Sequence, residues 1–556
     1  MEKKQSRKES KILPFWERIN NWPSRRWLIF ALIFMALIYG FAIGNNQSMV
    51  LPNGRLVFWL HDDMMISMRY GRNLVDGYGL VWNPGQPPVE GYSNFGWLLV
   101  MAAVHLFTIP DTLTSLVVLL INIFLAGLVL VLTARLAYRL VPKPGVWLLP
   151  ALLTLVIIVD LARWTTIGLE VPLETAVFLW LLIRVLDEAK VEQPRASTFF
   201  LAGILGLIRV DGPLLAAVLC LVALGLQPNK RQILKYSPLI LLLPAAHILF
   251  RLVYYGYPLP NTYYLKLTAW NDRLLPGLLY LLRFIRLYGL LLVAAIVGIY
   301  KSGDRLGRVL LLAGLPLAAY ALFVGGDDFG GARFFAPWLP VLILLAFLTP
   351  HWLNWQVRPV SAAVLLVVLA LGTGLLAGYR FYQGPGEEAV LAQVGLVLED
   401  ITWPNTSIGV FWAGTLPYFA HRPAVDLLGK NDAYVARLPA NEGSRKPGHN
   451  KFDYEYALTE ERPDLIVSPL SLTAVSDPQT FPGYTKGDDA YSGQLFLDKA
   501  YQQNYAPNLL IVHSIPIFIR SDSPERDRLL VGGDCEAVSN DELLNVGLET
   551  ACWYDD

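Results

Sequence analysis

Charged residues and cysteines are scarce in this 556-residue chain. Asp, Glu, Lys and Arg make up only 16% of it, while hydrophobic residues make up 54%. A soluble protein carries about 25% charged residues, so most of this chain is expected not to face water. The three cysteines are too few for a disulfide framework. Cys220 lies in an apolar run and is expected in a core, whereas Cys535 and Cys552 could form one disulfide if the polar tail lies outside the cytoplasm.

The chain also lacks a net charge, with 45 basic and 45 acidic residues. This balance gives no indication of a nucleic-acid partner. Basic residues gather in the first 26 positions, before the apolar run Trp27–Gly44, which has no clear small-x-small cleavage site. That pattern predicts an uncleaved first transmembrane helix with a cytoplasmic N-terminus.

Long apolar runs dominate the first two thirds of the chain. An apolar helix of roughly 20 residues spans a bilayer, and eleven crossings would place the basic loops on the cytoplasmic side, as the positive-inside rule requires. The predicted crossings are 27–45, 113–134, 145–161, 171–186, 197–208, 213–226, 236–254, 276–300, 307–324, 336–350 and 358–377. If the run 94–109 were counted as a further crossing, the basic loop that follows the next crossing would lie outside. The run is therefore predicted to lie in the membrane interface. The short runs 197–208 and 213–226 could instead form a re-entrant or broken pair.

This topology puts three polar stretches on the outer side, at residues 46–93, 254–273 and 325–333. Residues 378–556 change character, with more Asp, Pro, Asn and Gly and with short strand-like runs. They are expected to form an extracytoplasmic domain of normal size. The predicted fold class is therefore an α-helical polytopic membrane domain over 27–377, in the plasma membrane, followed by a soluble α/β domain.

An acidic pair, Asp62-Asp63, opens the polar part of the first outer stretch. Adjacent carboxylates repel each other and are costly to desolvate unless a cation, a metal or a substrate hydroxyl lies between them. The pair is therefore the first candidate for chemistry. An ordinary N-cap of an interfacial helix is the simpler alternative.

The residues after the acidic pair have helical spacing. Met65, Arg69 and either Arg72 or Asn73 would share one face, which we expect to point inward. Met64 and Met68 would then face lipid.

The run from Asp62 to Trp97 carries a long pattern, DD-x-x-I-S-x-R-Y-x-x-N-L-x-x-G-x-G-L-V-x-N-P-G-x-x-P-V-E-G-Y-S-N-F. It resembles the GT-C membrane glycosyltransferases, and among them the branch containing the mycobacterial terminal β-1,2-arabinofuranosyltransferase. Further stretches match that branch in the same order, at 165–170, 207–213, 254–266, 325–334, 425–429 and 447–449.

The resemblance implies an inverting transfer of a sugar, expected to be arabinofuranose. The implied donor is a polyprenyl-phosphate sugar in the outer leaflet of the membrane, and the implied acceptor is an extracytoplasmic glycan or glycoprotein. An Asp of the first outer loop is the implied catalytic base, which maps onto Asp62 or Asp63, because a carboxylate can take the proton of an attacking hydroxyl. The departing phosphate needs cations, for which Lys266, Arg209 and Arg333 are the candidates.

Other polar residues of the matching stretches are candidates for binding the donor or the acceptor: Arg69, Tyr70, Asn73, Glu90, Tyr92, Asn94, Glu170, Tyr263, Asp327, Asp328 and His449. Simpler alternatives stay open. Arg209 could pair with Asp211 or cap the helix break, and Glu170 could cap the next helix. Tyrosines are enriched at membrane interfaces in any case, and a lone His in a turn, such as His449, is more often structural.

A second acidic pair, Asp327-Asp328, lies on the same predicted side as the first. Asp63 with Asp327 or Asp328 could hold a divalent metal ion, since hard cations prefer carboxylate oxygens. The glycines that flank the pair suit a plain turn equally well. No other cofactor is predicted.

Three alternatives to arabinofuranosyl transfer stay open. The first keeps the donor type but transfers a hexose or mannose to a protein or lipid acceptor. The second is a transporter or lipid flippase, a function that Arg209 and Asp211 in the membrane region would suit. Transporters often consist of two inverted halves with matching broken helices, whereas this sequence has one such break and no repeat. The third is a catalytically silent scaffold whose tail binds glycan.

Overall fold

The computed structural model describes residues 24–142, 144–267, 270–327, 329, 331–353, 383–441, 448–470, 490–530, 536–537 and 550–554. Helices form most of the described part before residue 354, and a mixed α/β domain follows residue 383. This arrangement agrees with the predicted fold class. The predicted crossing at 358–377 lies outside the described residues.

Helices and a short hairpin make up the first part. In chain order the helices are α1 (Ser24–Asn46), α2 (Asp62–Val75), α3 (Phe95–His105), α4 (Asp111–Leu140), α5 (Leu148–Ile157), α6 (Val159–Thr166), α7 (Val171–Lys190), α8 (Ala196–Ala202), α9 (Leu205–Ile208), α10 (Gly212–Leu226), α11 (Lys230–Tyr236), α12 (Leu242–Tyr254), α13 (Asn261–Leu265), α14 (Trp270–Ser302), α15 (Arg305–Leu312), α16 (Leu315–Val324) and α17 (Leu339–Trp352). Strands β1 (Ser48–Val50) and β2 (Leu56–Phe58) pair antiparallel between α1 and α2.

Five helical stretches of the described residues are long and apolar enough to cross a membrane, and the bent pair α5 and α6 would make a sixth. The five are Arg25–Asn46, Asp111–Leu140, Lys230–Tyr254, Arg273–Ser302 and Arg305–Val324. Three other predicted crossings correspond to shorter apolar helices, at Ala196–Ile208, Gly212–Leu226 and Leu339–Trp352, so the count of eleven is not confirmed. The helix α3 has 11 residues, too few for a crossing.

Helix α2 lies against α3, and Gly71 allows the close approach. A Cβ at Gly71 would lie 3.0 Å from the backbone nitrogen of Ala102 on α3. Met64 and Met68 are buried here, beside Trp97 and Tyr418. The prediction that these two methionines face lipid is therefore wrong, because α3 and the soluble domain cover the helix on both sides.

The soluble domain is built on a mixed sheet. Its strands are β3 (Ile408–Val410), β4 (Ala424–Asp426), β5 (Leu465–Val467), β6 (Asn508–Val512), β7 (Ile515–Ile519), β8 (Glu536–Ala537) and β9 (Thr550–Tyr554), in the spatial order β4-β3-β5-β7-β6-β9-β8. Strand β3 is parallel to both β4 and β5, while β7 is antiparallel to β5 and β6. Strand β9 is parallel to β6 and antiparallel to β8.

Short helices surround this sheet. They are α18 (Glu387–Ile401), α19 (Thr415–Ala420), α20 (Tyr454–Tyr456), α21 (Ala490–Leu497), α22 (Lys499–Asn504) and α23 (Pro524–Leu530). One apolar core joins Val410 and Leu416 of this domain to Ile66 and Tyr70 of α2. The first outer stretch and the soluble domain therefore pack as one body. The side chains of Cys535 and Cys552 lie outside what the structure describes, so their pairing stays a prediction.

Candidate active site

A cavity of about 300 Å³ lies where α2, the membrane part and the soluble domain meet. Helix α2 lines one wall with Asp63 and Ser67, and the soluble domain contributes Lys430. The segment that carries Lys266 and the loop that carries Arg333 complete the wall. Pockets for small ligands usually start at about this volume.

Asp63 and Lys430 form an ion pair inside the cavity. The Lys430 ammonium lies 2.5 Å from Oδ1 of Asp63. Lys430 is more buried than its partner, with 14% of its side chain exposed against 29% for Asp63. Asp63 also lies in the first turn of α2, where the helix dipole favours a negative charge.

Asp62 points away from the cavity. It is buried, and its Oδ1 accepts a hydrogen bond of 2.7 Å from the backbone N–H of Thr415 in α19. A Cβ at Gly414 would lie only 1.8 Å from the carbonyl oxygen of Asp62, so the soluble domain is in contact with the start of α2. Of the two predicted bases, Asp63 is therefore the one that lines the cavity.

The two carboxylates have opposite pKa shifts. Burial raises the pKa of Asp62 above its ordinary value, and Lys430 and the Thr415 N–H offset only part of that rise. Burial alone would also raise the pKa of Asp63, but the ammonium of Lys430, with His61 and Lys266, holds this pKa well below its usual range. The pKa of Lys430 is raised despite its burial, by Asp63 and then Asp62. Asp63 is thus a carboxylate at neutral pH and Lys430 an ammonium.

Lys266 is the exposed cation of the cavity. It follows α13 directly, and within the described part of the chain it has no ion pair with a carboxylate. A Cβ at Gly448 would lie 3.3 Å from its Cε atom, so the soluble domain covers part of its stem. Its ammonium is available to an anion that enters the cavity.

Arg209, in contrast, is surrounded by carboxylates. Its Nε and Nη2 atoms bond both oxygens of Asp211, at 2.9 and 3.0 Å. Glu170 lies 3.5 Å and Glu174 3.4 Å from the guanidinium. The pairing of Arg209 with Asp211 that the sequence left open therefore forms, although Arg209 and Glu170 also line the cavity.

Arg333 is held by Asp327 and by aromatic rings. Its Nε atom lies 2.7 Å from Oδ2 of Asp327, and its guanidinium lies over the ring of Phe329 at 4.6 Å. The loop that carries Arg333 is also fixed by its backbone, because the Ala332 N–H donates a hydrogen bond of 2.8 Å to Asp160. Arg333 and Asp327 both line the cavity, and Asp328 lies outside the described residues.

A polar strip connects α2 to Glu170. Ser67 donates to Oδ1 of Asn94 at 2.8 Å, and Nδ2 of Asn94 lies 3.4 Å from Glu170. These three residues line the cavity together with Tyr263, whose side chain is half exposed. Asn94, Glu170 and Tyr263 are thus brought together, as binding to one ligand would require.

Three residues predicted to bind substrate lie outside the cavity and bond to the backbone instead. Arg69 donates to the carbonyl oxygens of Trp82, Pro417 and Arg422. Tyr70 donates to the Val89 carbonyl oxygen at 2.6 Å. Asn73 donates to the Val81 and Trp82 carbonyl oxygens. These contacts fix the first outer stretch around α2.

Glu90, Tyr92 and His449 also lie away from the cavity lining. Glu90 forms a buried ion pair of 2.8 Å with Arg251, and Tyr92 shares a hydrogen bond of 2.9 Å with Tyr255. The ring of His449 lies beside that of Tyr491, with centroids 5.6 Å apart.

The predicted metal site has little support in the geometry. No group of three or more His, Cys, Asp or Glu side chains that could hold a metal occurs among the residues that the structure describes. Asp63 is paired with Lys430 and Asp327 with Arg333, so both carboxylates already have a cationic partner.

Lys430 is a charged residue of the cavity that the sequence prediction missed. It follows Val425–Gly429, which is one of the stretches that carry the resemblance, and a turn built on Asp426 presents it. Its position directly after a stretch that matches the family is the sequence feature that could have identified it.

Comparisons with known proteins agree with this architecture. A family model described as a domain of unknown function (DUF8728) matches residues 379–514, which include Lys430. The terminal β-(1→2)-arabinofuranosyltransferase of Mycobacterium tuberculosis is 29% identical over 247 residues, which are 42% of this chain and 38% of that protein. The chain therefore spans well under half of the curated relative that it matches.

Solved structures resemble the chain over most of its length. ArnT from Cupriavidus metallidurans superposes with a TM-score of 0.54 at 13% identity, covering 89% of this chain and 98% of ArnT. The oligosaccharyltransferase of Archaeoglobus fulgidus gives a TM-score of 0.52 at 11% identity, over 88% and 73%. The same organism's AglB, in complex with an inhibitory peptide and a dolichol-phosphate, gives 0.51 at 12% identity, over 91% and 77%.

The chain has the GT-C fold. In this GT-C fold the cavity opens between the helical membrane part and the α/β domain. The three-dimensional fold therefore agrees with the family resemblance found in the sequence of the first outer stretch.

Proposed function

We propose that this chain is an integral-membrane inverting glycosyltransferase. It takes a sugar, arabinofuranose, from a polyprenyl-phosphate donor and transfers it to a hydroxyl of an extracytoplasmic glycan or glycoprotein. The observation that carries the proposal is a cavity with a carboxylate at one wall, Asp63, and several cations at the others. This is the arrangement that attack by a hydroxyl and departure of a phosphate require.

The reaction assigns a task to each wall. Asp63 accepts the proton of the acceptor hydroxyl as its oxygen forms a bond to the anomeric carbon. The bond between that carbon and the phosphate oxygen breaks on the opposite face, and its electron pair stays on the phosphate. Lys266 and Arg333 stabilise the negative charge that grows there, while Arg209 keeps Glu170 and Asp211 in place.

The orientation of the protein follows from the same proposal. The N-terminus lies in the cytoplasm, and the cavity and the α/β domain lie on the outer face of the plasma membrane. Support comes from the predicted order of crossings, which puts the basic loops on the opposite side from the three polar stretches. A polyprenyl chain would lie along the membrane helices, with its phosphate at the level of the cavity.

The decisive experiment measures sugar transfer by the full chain in liposomes. The donor is a labelled polyprenyl-phosphoryl arabinofuranose, and the acceptor is an arabinan oligosaccharide. Asp63→Asn should reduce transfer, measured per folded protein, by about 100- to 10,000-fold, the usual contribution of a general base, and should also lower the unfolding temperature because Lys430 loses its ion-pair partner. Asp76→Asn, at the exposed end of the same helix, is the matched control and should transfer normally. Full activity of Asp63→Asn would refute the proposal.

The donor sugar needs its own test, because arabinofuranose rests on one relative that matches 42% of this chain. Unlabelled polyprenyl-phosphoryl mannose or another hexose is added to the same assay as a competitor. Competition by the arabinofuranosyl donor alone supports the proposed sugar. Transfer of mannose to a protein or lipid acceptor would instead favour the hexosyl alternative, which keeps the donor class.

A further inference from the structure

Lys430 reaches the cavity from the region that matches a domain of unknown function. Its ammonium bonds Oδ1 of Asp63, and this carboxylate is its only hydrogen-bond partner among the residues that the structure describes. Two other cations of the cavity wall, Arg209 and Arg333, are fixed by carboxylates of their own neighbourhood, and Lys266 has no ion pair with a carboxylate in the described part of the chain. Lys430 is therefore the cation whose partner is the proposed base itself.

The backbone around Lys430 is fixed on both sides. Asp426 accepts hydrogen bonds from the N–H groups of Leu428, Gly429 and Asn431. From the membrane part, Nδ2 of Asn261 donates to the carbonyl oxygens of Gly429, Lys430 and Asp432. The main chain thus cannot move far, and any movement of the ammonium comes from the flexible four-carbon side chain.

The ion pair creates a conflict for the proposed reaction. A carboxylate that is bonded to an ammonium is a poor proton acceptor, so Asp63 cannot act as an effective base while Lys430 remains in place. The donor brings a phosphate into the same cavity, and a phosphate attracts the same ammonium. One cation therefore faces two anions.

Resting on the proposed function, we propose that Lys430 is an exchangeable counter-ion. In the empty site it pairs with Asp63, and when the donor binds it turns to the donor phosphate and frees Asp63 to accept a proton. The α/β domain thereby makes the base available only when a donor is present.

The charges balance through the whole step. Before transfer, Asp63 and the phosphodiester each carry one negative charge. The acceptor proton neutralises Asp63, and the electron pair of the broken bond gives the phosphate monoester its second charge. The net charge of the cavity is unchanged, while the negative charge moves from the carboxylate to the phosphate that Lys430 has reached.

Donor binding to the inactive enzyme separates this role from a structural one. In the wild-type protein the donor phosphate must compete with Asp63 for Lys430, whereas in Asp63→Asn it has no competitor. Asp63→Asn should therefore bind polyprenyl-phosphoryl arabinofuranose at least about tenfold more tightly than wild type in the absence of acceptor. The double variant Asp63→Asn/Lys430→Met should lose that gain. Unchanged or weaker donor binding by Asp63→Asn overturns the counter-ion role, whatever the outcome of the transfer assay.

The pH dependence of transfer gives a second measurement. The charged groups that face Asp63 are Lys430, His61, Lys266 and the neighbouring Asp62. Without Lys430, the effect of burial on the pKa of Asp63 is offset only by His61 and Lys266, so the acidic limb of kcat/KM should move to higher pH by at least about one unit in Lys430→Met. Lys430→Arg keeps the charge and should keep the limb near its wild-type position, with a raised KM for the donor.

Lys451→Met is the matched control for both measurements. Lys451 also links the soluble domain to the outer segment, through the carbonyl oxygens of Tyr264 and Ala436, but it lies outside the cavity. It should change stability without moving the acidic limb. An equal shift in Lys451→Met and Lys430→Met would overturn the inference, whereas transfer by Asp63→Asn would overturn the proposed function itself.

Discussion

The backbone N–H of Thr415 lies 2.7 Å from Oδ1 of Asp62 and donates a hydrogen bond to it. The soluble domain thus holds the first carboxylate of the acidic pair, while the second faces the cavity. This division of roles distinguishes two residues that stand side by side in the sequence.

We expect Asp62→Asn to transfer sugar within about tenfold of wild type, because the substituted amide oxygen can still accept the Thr415 N–H and the residue does not touch substrate. Burial already favours the neutral form of Asp62, since it raises the pKa of this carboxyl. Transfer rate and unfolding temperature are measured beside Asp63→Asn. A loss as large as that of Asp63→Asn would make Asp62 the base.

Gly414→Ala should destabilise the protein. The new Cβ would lie 1.8 Å from the carbonyl oxygen of Asp62, so the backbone of α2 or α19 must move. Such overpacking costs about 1–3 kcal/mol, and the displaced Asp62-Asp63 segment should also lower the transfer rate. Thermal unfolding in detergent detects the change. Gly40→Ala is the control, because nothing lies within 4 Å of a Cβ there.

Lys266 and Arg209 should respond differently to the same substitution. Lys266→Met removes an exposed charge, so we expect unchanged stability and a KM for the donor that is roughly tenfold higher or more, the value of one charge-assisted hydrogen bond. Arg209→Met leaves three carboxylates without their cation and should cost about 3–5 kcal/mol. Donor kinetics and thermal unfolding of both variants test this. If Arg209→Met is as stable as wild type and only its KM for the donor is raised, Arg209 binds the donor phosphate instead.

The stability of the protein should decrease as the pH rises, because His421 loses its charge. This imidazole lies 2.6 Å from Asp111 at the start of α4 and 2.7 Å from Glu399 on α18. Burial alone would lower its pKa, but hydrogen bonds to Asp111 and Glu399 raise the pKa above 6.5. The stabilisation from a raised pKa is complete below pH 6.5 and is lost as the pH rises through the folded-state value.

Unfolding temperatures measured from pH 6 to pH 9 check this. The wild type should lose a few degrees over that range, while His421→Gln should start lower and change less. His513→Gln, in the β6–β7 turn, should keep the wild-type slope.

Local patterns were sufficient to predict much of this architecture. The acidic pair begins α2, the short apolar run after Asn94 forms a helix, and the last third of the chain forms an α/β sheet. Asp63, Lys266 and Arg333 all lie in stretches that carry the family resemblance, and all three line one cavity. These are properties of short segments, which the sequence displays directly.

Long-range contacts account for the errors. The helical spacing predicts that Met68 faces lipid and that Arg69 faces inward. The soluble domain, however, packs on α2 and buries both residues. Lys430 was missed for the same reason, because its partner lies 367 positions earlier in the chain. No periodicity connects residues at that distance, and only the assembled interface brings them together.

The distance along the chain between Asp63 and Lys430 also sets an order of events during synthesis. The ribosome delivers α2 to the membrane long before it completes β4 and the turn that carries Lys430. Until then Asp63 has no ammonium beside it, and Asp62 has no Thr415 N–H to accept from. An unfinished chain therefore lacks both of the contacts by which the soluble domain holds the acidic pair. The cavity is therefore assembled only when the last third of the chain has folded onto α2.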